Sequence, residues 1–229
     1  MSNYFSWERF NNNVPIILSC LNVTLQLVIV SLILITLFAV ILALLRLKKI
    51  PVIHQILGVY ISYMRGTPLI TQLFVVKFGL PMLVDALFGI NIYRWDNIIF
   101  AEIAIIMNEA AFLGESFRGA LASVPSIQIE AAYSIGMTKV QTFFRVTLPQ
   151  FIRIILPTYG TTIIGIFMGT SVVFMLGVVD IMGRARIIAS SSNHGLEAYL
   201  IVAIIYIIAS LLIRVVFHGL ERKMSYGRG

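Results

Sequence analysis

Residues Glu130–Gln150 read EAAYSIGMTKVQTFFRVTLPQ, a polar, twice-interrupted helical stretch between two long apolar runs. Gly136 divides it, because only glycine takes the left-handed end of a helix freely. Before it, Ser126 is placed to cap a short helix. Glu130 is expected in the first turn of that helix, where a carboxylate meets the positive end of the dipole. After it, Thr138 with Gln141 three residues on has the pattern of a capping box for a second helix, and Pro149 is expected to close the unit. Ala131 and Ala132 make a shallow surface that another protein can approach closely. Two readings stay open on the residues alone: an amphipathic linker lying on a membrane, or a docking element.

The rest of the chain decides what surrounds this stretch. Of 229 residues, 59% are hydrophobic and 12% charged. A soluble domain carries about 25% charge, so half that figure, with long uncharged runs, indicates a membrane protein. About 20 apolar residues cross the hydrocarbon core. Immediately upstream, a span is expected over about 98–124, and downstream over about 149–179, with Pro149 at a first helical position and bends expected at Pro157, Gly160, Gly165 and Gly169. Farther out lie spans over about 14–45, 53–88 (interrupted at Arg65–Pro68 and Gly79–Pro81) and 196–220. The first is too long for a signal-peptide core and shows no small-residue cleavage site, so it is read as retained. The expectation is an all-α integral membrane protein, one domain over 1–229, with five transmembrane helices and the polar loop 126–147 on one side.

The basic residues orient it. Arg46, Lys48, Lys49, Arg118, Lys139, Arg145, Arg153, Arg214, Arg222, Lys223 and Arg228 fall on one side of five spans; Arg9, Arg94, Arg184 and Arg186 fall on the other. The positive-inside rule then puts the N-terminus outside, and the C-terminus and the 126–147 loop in the cytoplasm. Arg184 and Arg186 run against the rule, with no sequence reason. The net charge of +7 raises nucleic acid as a partner, but no basic cluster is backed by stacking aromatics; the basic residues sit at the ends of apolar runs, and orientation in the membrane, with lipid as the neighbour, explains them better. The single cysteine, Cys20, makes no internal disulfide. His54, His194 and His218 are scattered and form no metal set. No nucleophile, base and orienting acid converge, so the chain is not read as an enzyme.

EAA, three residues, glycine and a distal LP, between the third and fourth of five spans, resemble the coupling loop of ABC importer permeases. RGTPLITQLFVVKFGLP (Arg65–Pro81) and ESFRGALASVP (Glu115–Pro125) resemble signatures of the polar amino-acid uptake family. GTSVVFMLGV (Gly169–Val178) resembles its fourth-span segment, and AYLIVAIIYIIASLLIR with the later LER (Ala198–Arg222) its last span. The likeness runs from about Leu18 to Lys223. It implies a type I ABC importer fold in the bacterial cell membrane and the transmembrane subunit of a binding-protein-dependent importer of a polar amino acid. It also implies a second permease subunit, two cytoplasmic ATPases that carry ATP and Mg, and an extracytoplasmic binding protein. This chain has no GxxxxGK[ST] loop and is expected to bind no cofactor. Glu130 would anchor the ATPase, Ala131 and Ala132 would form the contact face, and Gly136 the corner. A self-contained secondary transporter or channel is the alternative, though no internal repeat supports it.

Charges at membrane depth usually pair or serve function. Matching depths by rise per residue pairs Arg65 with Glu115 and Lys77 with Glu102 as structural ion pairs. Glu109, near mid-membrane, is then left over. Either it is a neutral hydrogen-bonding residue at a helix contact, or it attracts a substrate ammonium. Where the family often has an acid just before Thr170 and Ser171, this chain has Gly169. Gly165 and Gly169 form GxxxG, read first as close packing. Gln72, Thr170 and Ser171 are the remaining polar candidates for the pathway.

Overall fold

The computed structural model describes residues 5–192 and 194–225; Arg228 and the terminal residues lie outside them. Among the described residues the chain is helical, without strands. In chain order the helices are α1 (Trp7–Leu18), α2 (Leu21–Leu47), α3 (Pro51–Gly66), α4 (Leu69–Phe88), α5 (Asn97–Ala122), α6 (Ser126–Ser134), α7 (Lys139–Leu176), α8 (Ile181–Ser192) and α9 (Leu196–Ser225). Five of them, α2, α4, α5, α7 and α9, are long and apolar enough to cross a membrane.

The boundaries differ from the expected spans where the backbone loses a bond. The apolar run from Val14 breaks at Ser19 and Cys20 into α1 and α2; the Ser19 hydroxyl donates to the Ile16 carbonyl (2.8 Å), competing with the helix ladder. The run from Ile53 breaks at Thr67–Pro68, so only α4 is a full crossing. In α7 the opposite holds. Thr138 caps it with both bonds of the box in place, Thr138 N–H donating to Gln141 Oε1 (2.9 Å) and Gln141 N–H to Thr138 Oγ1 (3.3 Å). The helix then runs through Pro149 and Pro157, widening to a π turn at Phe143–Thr147 and tightening to a 3-10 turn at Thr170–Leu176. Pro149 therefore lies inside α7, just after the π turn, and does not close the loop.

The core forms where α2, α5 and α7 meet. Leu27, Ile35 and Ala39 of α2, Ala101, Ala104, Ile105 and Leu113 of α5, and Ile166 of α7 are all buried in it. α5 is the central helix, and its small residues let α2 approach: a Cβ on Gly114 would meet Leu42 Cβ at 3.0 Å. α9 packs on α7 at Gly160, where a Cβ would lie 2.7 Å from Phe217 Cγ. At the end away from α6, Asn97 Nδ2 donates to the Leu176 carbonyl (2.6 Å), joining the start of α5 to the end of α7. Arg9 on α1 reaches Glu197 on α9 at 2.8 Å, and the Ser6 N–H donates to the same carboxylate oxygen.

Candidate functional site

The elbow between α5 and α7 is built from local sequence. α6 ends in a Schellman turn: Met137 N–H donates to the Ala132 carbonyl (3.1 Å) and Gly136 N–H to the Tyr133 carbonyl (2.9 Å). Gly136 sits at φ +80°, where L side chains are strained. Three expectations need correction. Pro125, not Ser126, holds the cap position, and Ser126 is the first helical residue, without a capping bond. Glu130 is therefore the fifth residue of α6, past its first turn, and stands exposed. Ala132 is buried against its own chain and is not part of an outer face; Ala131 is exposed. The outer surface holds Ile127, Val140 and Ile135, the last 79% exposed. Gln150 Nε2 donates to Gln128 Oε1 (2.6 Å), clamping α6 to α7. Nothing in the sequence pattern singled out this clamp.

The intramembrane ion pairs are not those expected from depth. Glu115 bonds Arg46 of α2 (3.0 Å) and Arg118 one turn on (2.8 Å). Arg46 also donates to the His54 carbonyl (3.1 Å), so it holds the α2–α3 corner to α5. Arg65 is exposed and lies over the Phe112 ring at 5.2 Å. Lys77 lies over the Phe100 ring at 4.2 Å, and among the described residues no ion pair joins it to Glu102. Rise per residue fixes depth but not rotation about the helix axis, and rotation chose the partners.

Gln72 and Thr170 also take other roles than expected. Pro68 has no N–H, so the Met64 carbonyl four residues back loses its helical donor. Two side-chain amides replace it: Gln72 Nε2 (3.0 Å) and Asn108 Nδ2 (3.0 Å). Gln72 Nε2 also reaches the Thr67 carbonyl (3.1 Å) and hydroxyl (2.8 Å), and its Oε1 accepts from Asn108 (3.0 Å). The Gln72 side chain is thus consumed in closing the break between α3 and α4. Thr170 is fully buried, its hydroxyl donating to the Phe167 carbonyl (2.8 Å). Ser171 lines an open cleft, with Met182, Tyr199 and Tyr206.

Glu109 is half-buried and makes no ion pair among the described residues. It faces Gly165: a Cβ there would sit 3.9 Å from Glu109 Oε1, and one on Gly169 would be 3.5 Å from Leu69 Cδ2. These are ordinary contacts. Gly165 therefore leaves room for a methyl beside Glu109, Gly169 faces Leu69, and the close-packing role falls to Gly114 and Gly160 instead.

A bundle of five membrane-length helices, interrupted on one side by a capped two-helix elbow with exposed apolar residues, defines the permease subunit of a type I importer. The chain belongs to the family of binding-protein-dependent transport system inner membrane components, whose model matches residues 35–226. It is a multi-pass membrane protein and itself no enzyme. It is 37% identical over 223 residues to a probable amino-acid permease protein, YxeN, of Bacillus subtilis (strain 168), covering 97% of each chain. It is 36% identical to the L-cystine transport system permease protein TcyL of the same organism, covering 98% of this chain and 94% of that one. Its fold superposes on the crystal structure of an amino acid ABC transporter with histidines at TM-score 0.83 and 30% identity, covering 96% and 99% of the two chains.

Proposed function

We propose that this chain forms half of the translocation pathway for a polar amino acid and converts the movement of docked cytoplasmic ATPases into rearrangement of its spans. ATP and Mg bind those partners, and an extracytoplasmic binding protein delivers substrate. A second permease subunit, identical or homologous, completes the pathway. The N-terminus is outside and the elbow and C-terminus cytoplasmic, as the charge bias directs. The elbow carries the reading. Its left-handed Gly136 corner, its box-capped second helix and its Gln150–Gln128 clamp make a stiff lever continuous with α7. Glu130 and Ala131 form the polar and close-contact part of its outer surface, beside the exposed Ile135. Glu109, which faces Gly165 and makes no ion pair among the described residues, attracts the substrate ammonium.

The test replaces Gly136 with valine in the assembled transporter. Insertion and level in the membrane should be unchanged, while substrate uptake and binding-protein-stimulated ATP hydrolysis fall together. Normal uptake by Gly136→Val would sink the lever. For Glu109, conversion to Gln should weaken uptake roughly ten- to a hundred-fold, the worth of one hydrogen bond to a charged group; unchanged uptake would remove it from the pathway.

A further inference from the structure

Arg184 and Arg186 run against the charge bias that orients the chain. Both lie on α8, at the end of the bundle away from the elbow, and the structure gives them different surroundings. Arg184 turns inward, its Nε donating to Cys20 Sγ at 3.4 Å, which ties α8 to the corner between α1 and α2. That arginine is structural. Arg186 is exposed, its guanidinium carbon 5.0 Å from the centre of the Phe174 ring. Among the described residues it makes no ion pair.

Arg186 lines a cleft of about 480 Å³ between α8 and the end of α7, together with Phe174, Gly183, Ser190 and Ser191. That volume lies within the range of small-ligand sites, roughly 300–1,000 Å³. Ser190 follows Arg186 by four residues, so both side chains share one helix face. The Ser191 hydroxyl spends its proton on the Ile188 carbonyl (3.1 Å), which leaves its lone pairs free to accept. A cation held over an aromatic ring is already positioned for a ligand. Its planar fork matches a carboxylate, and the neighbouring hydroxyl oxygens match an ammonium. The cleft thus offers, side by side, what the two ends of an α-amino acid zwitterion require.

We propose that this cleft is a receiving site for the backbone carboxylate and ammonium of an amino acid, on the face opposite the ATPase elbow. Arg186 binds the carboxylate, Ser190 and Ser191 accept from the ammonium, and Phe174 keeps the guanidinium in place. The assignment rests on the reading of the chain as an amino-acid permease. It explains why a cation is retained on the side where the charge bias disfavours one.

The assembled transporter, in nanodiscs and without binding protein, tests it. Cys20→Ser with Ile187→Cys places one thiol on the cleft wall beside Arg186. Its rate of reaction with a methanethiosulfonate is followed against millimolar L-arginine, L-glutamine or L-argininamide. Both acids should slow labelling and the amide should not. Adding Arg186→Gln should raise the protecting concentration about ten- to a hundred-fold, from loss of a charge-assisted hydrogen bond; Arg186→Lys should recover part of it. Absence of protection by the acids, equal protection by the amide, or protection indifferent to Arg186→Gln each overturns the site. Protection by phosphatidylglycerol in the disc, in place of the acids, makes it a lipid headgroup site and overturns it equally. Uptake by the parent transporter, with its binding protein in proteoliposomes, separates the two levels. No amino-acid uptake defeats the permease reading, whereas uptake without protection defeats only the cleft.

Discussion

Replacing Gln72 with leucine separates a structural role from a pathway role. Gln72 is 2% exposed, and its amide holds four groups at 2.8–3.1 Å: the Met64 and Thr67 carbonyls, the Thr67 hydroxyl and the Asn108 amide. Leucine fills a similar volume and makes none of these bonds. Met64 keeps Asn108 as a donor, but the Thr67 carbonyl loses the side-chain donor that closes the break, and Asn108 loses its acceptor. An orphaned buried polar group costs about 1–3 kcal/mol, while side-chain hydrogen bonds between membrane helices measure about 0.6–1.7 kcal/mol each. Two lost groups therefore cost roughly 2–4 kcal/mol. For a chain of this size, that corresponds to a fall of roughly 5–15 °C in thermal midpoint. Gln72→Glu should be no better despite its shape, because an oxygen replaces the donor aimed at two carbonyls. The assay is thermal unfolding of the purified transporter, with uptake per folded molecule measured beside it. If Gln72→Leu leaves the midpoint unchanged and abolishes uptake, the side chain belongs to the pathway and not to the α3–α4 break.

Three further outcomes follow from the packing and the charges. Gly160→Ala should cost about 1–3 kcal/mol by overpacking, because its Cβ would fall 2.7 Å from Phe217 Cγ; Phe217→Ala, which removes that atom, should relieve the clash, and simple additivity of the two losses in the double variant would break the α7–α9 contact. Arg46→Met should be strongly non-additive with Glu115→Gln, whereas Arg65→Met should add to it within about 0.5 kcal/mol, as for residues without a shared partner; the reverse result in thermal-unfolding cycles would restore the pairing inferred from depth. Asp180 is fully buried between the fourth and fifth crossings, its Oδ1 accepts from the Gly183 N–H at 2.8 Å, and burial pushes its carboxyl from 3.8 up to about 6. The folded state therefore holds the proton more tightly than the unfolded one, so the stability this group contributes is complete below pH 3.8 and is lost as pH rises through about 6. Asp180→Asn should flatten that part of the midpoint-versus-pH curve, and parallel curves for the two proteins would refute it.

Much of the elbow was legible because its determinants are local. Gly136 needs only its own φ, and Thr138 and Gln141 need only their spacing. Where the expectation failed, a neighbour intervened. Ser126 is displaced from the cap by Pro125, Ala132 is covered by the chain's own fold, and Pro149 is carried inside α7 by a π turn. The helix α8 was missed altogether. Its 12 residues are too few and too polar to register as a crossing, and its N-terminus is held from outside itself, the Ile181 N–H donating to Thr24 Oγ1 on α2.

The sequence by itself determined the number of crossings, the elbow between the third and fourth, and the charge bias across the membrane, because apolar length and charge position along the chain are one-dimensional quantities. Only the tertiary structure decided what each polar side chain does. Gln72 and Asn108 cover a carbonyl left bare by Pro68, Glu115 takes Arg46 rather than Arg65, and Gly160 packs closely whereas Gly165 meets Glu109, and Gly169 meets Leu69, at ordinary contact distance. Each outcome depends on how far a helix is rotated about its own axis against its neighbours. That angle is set by side-chain packing summed over whole faces, and no spacing within a single helix encodes it.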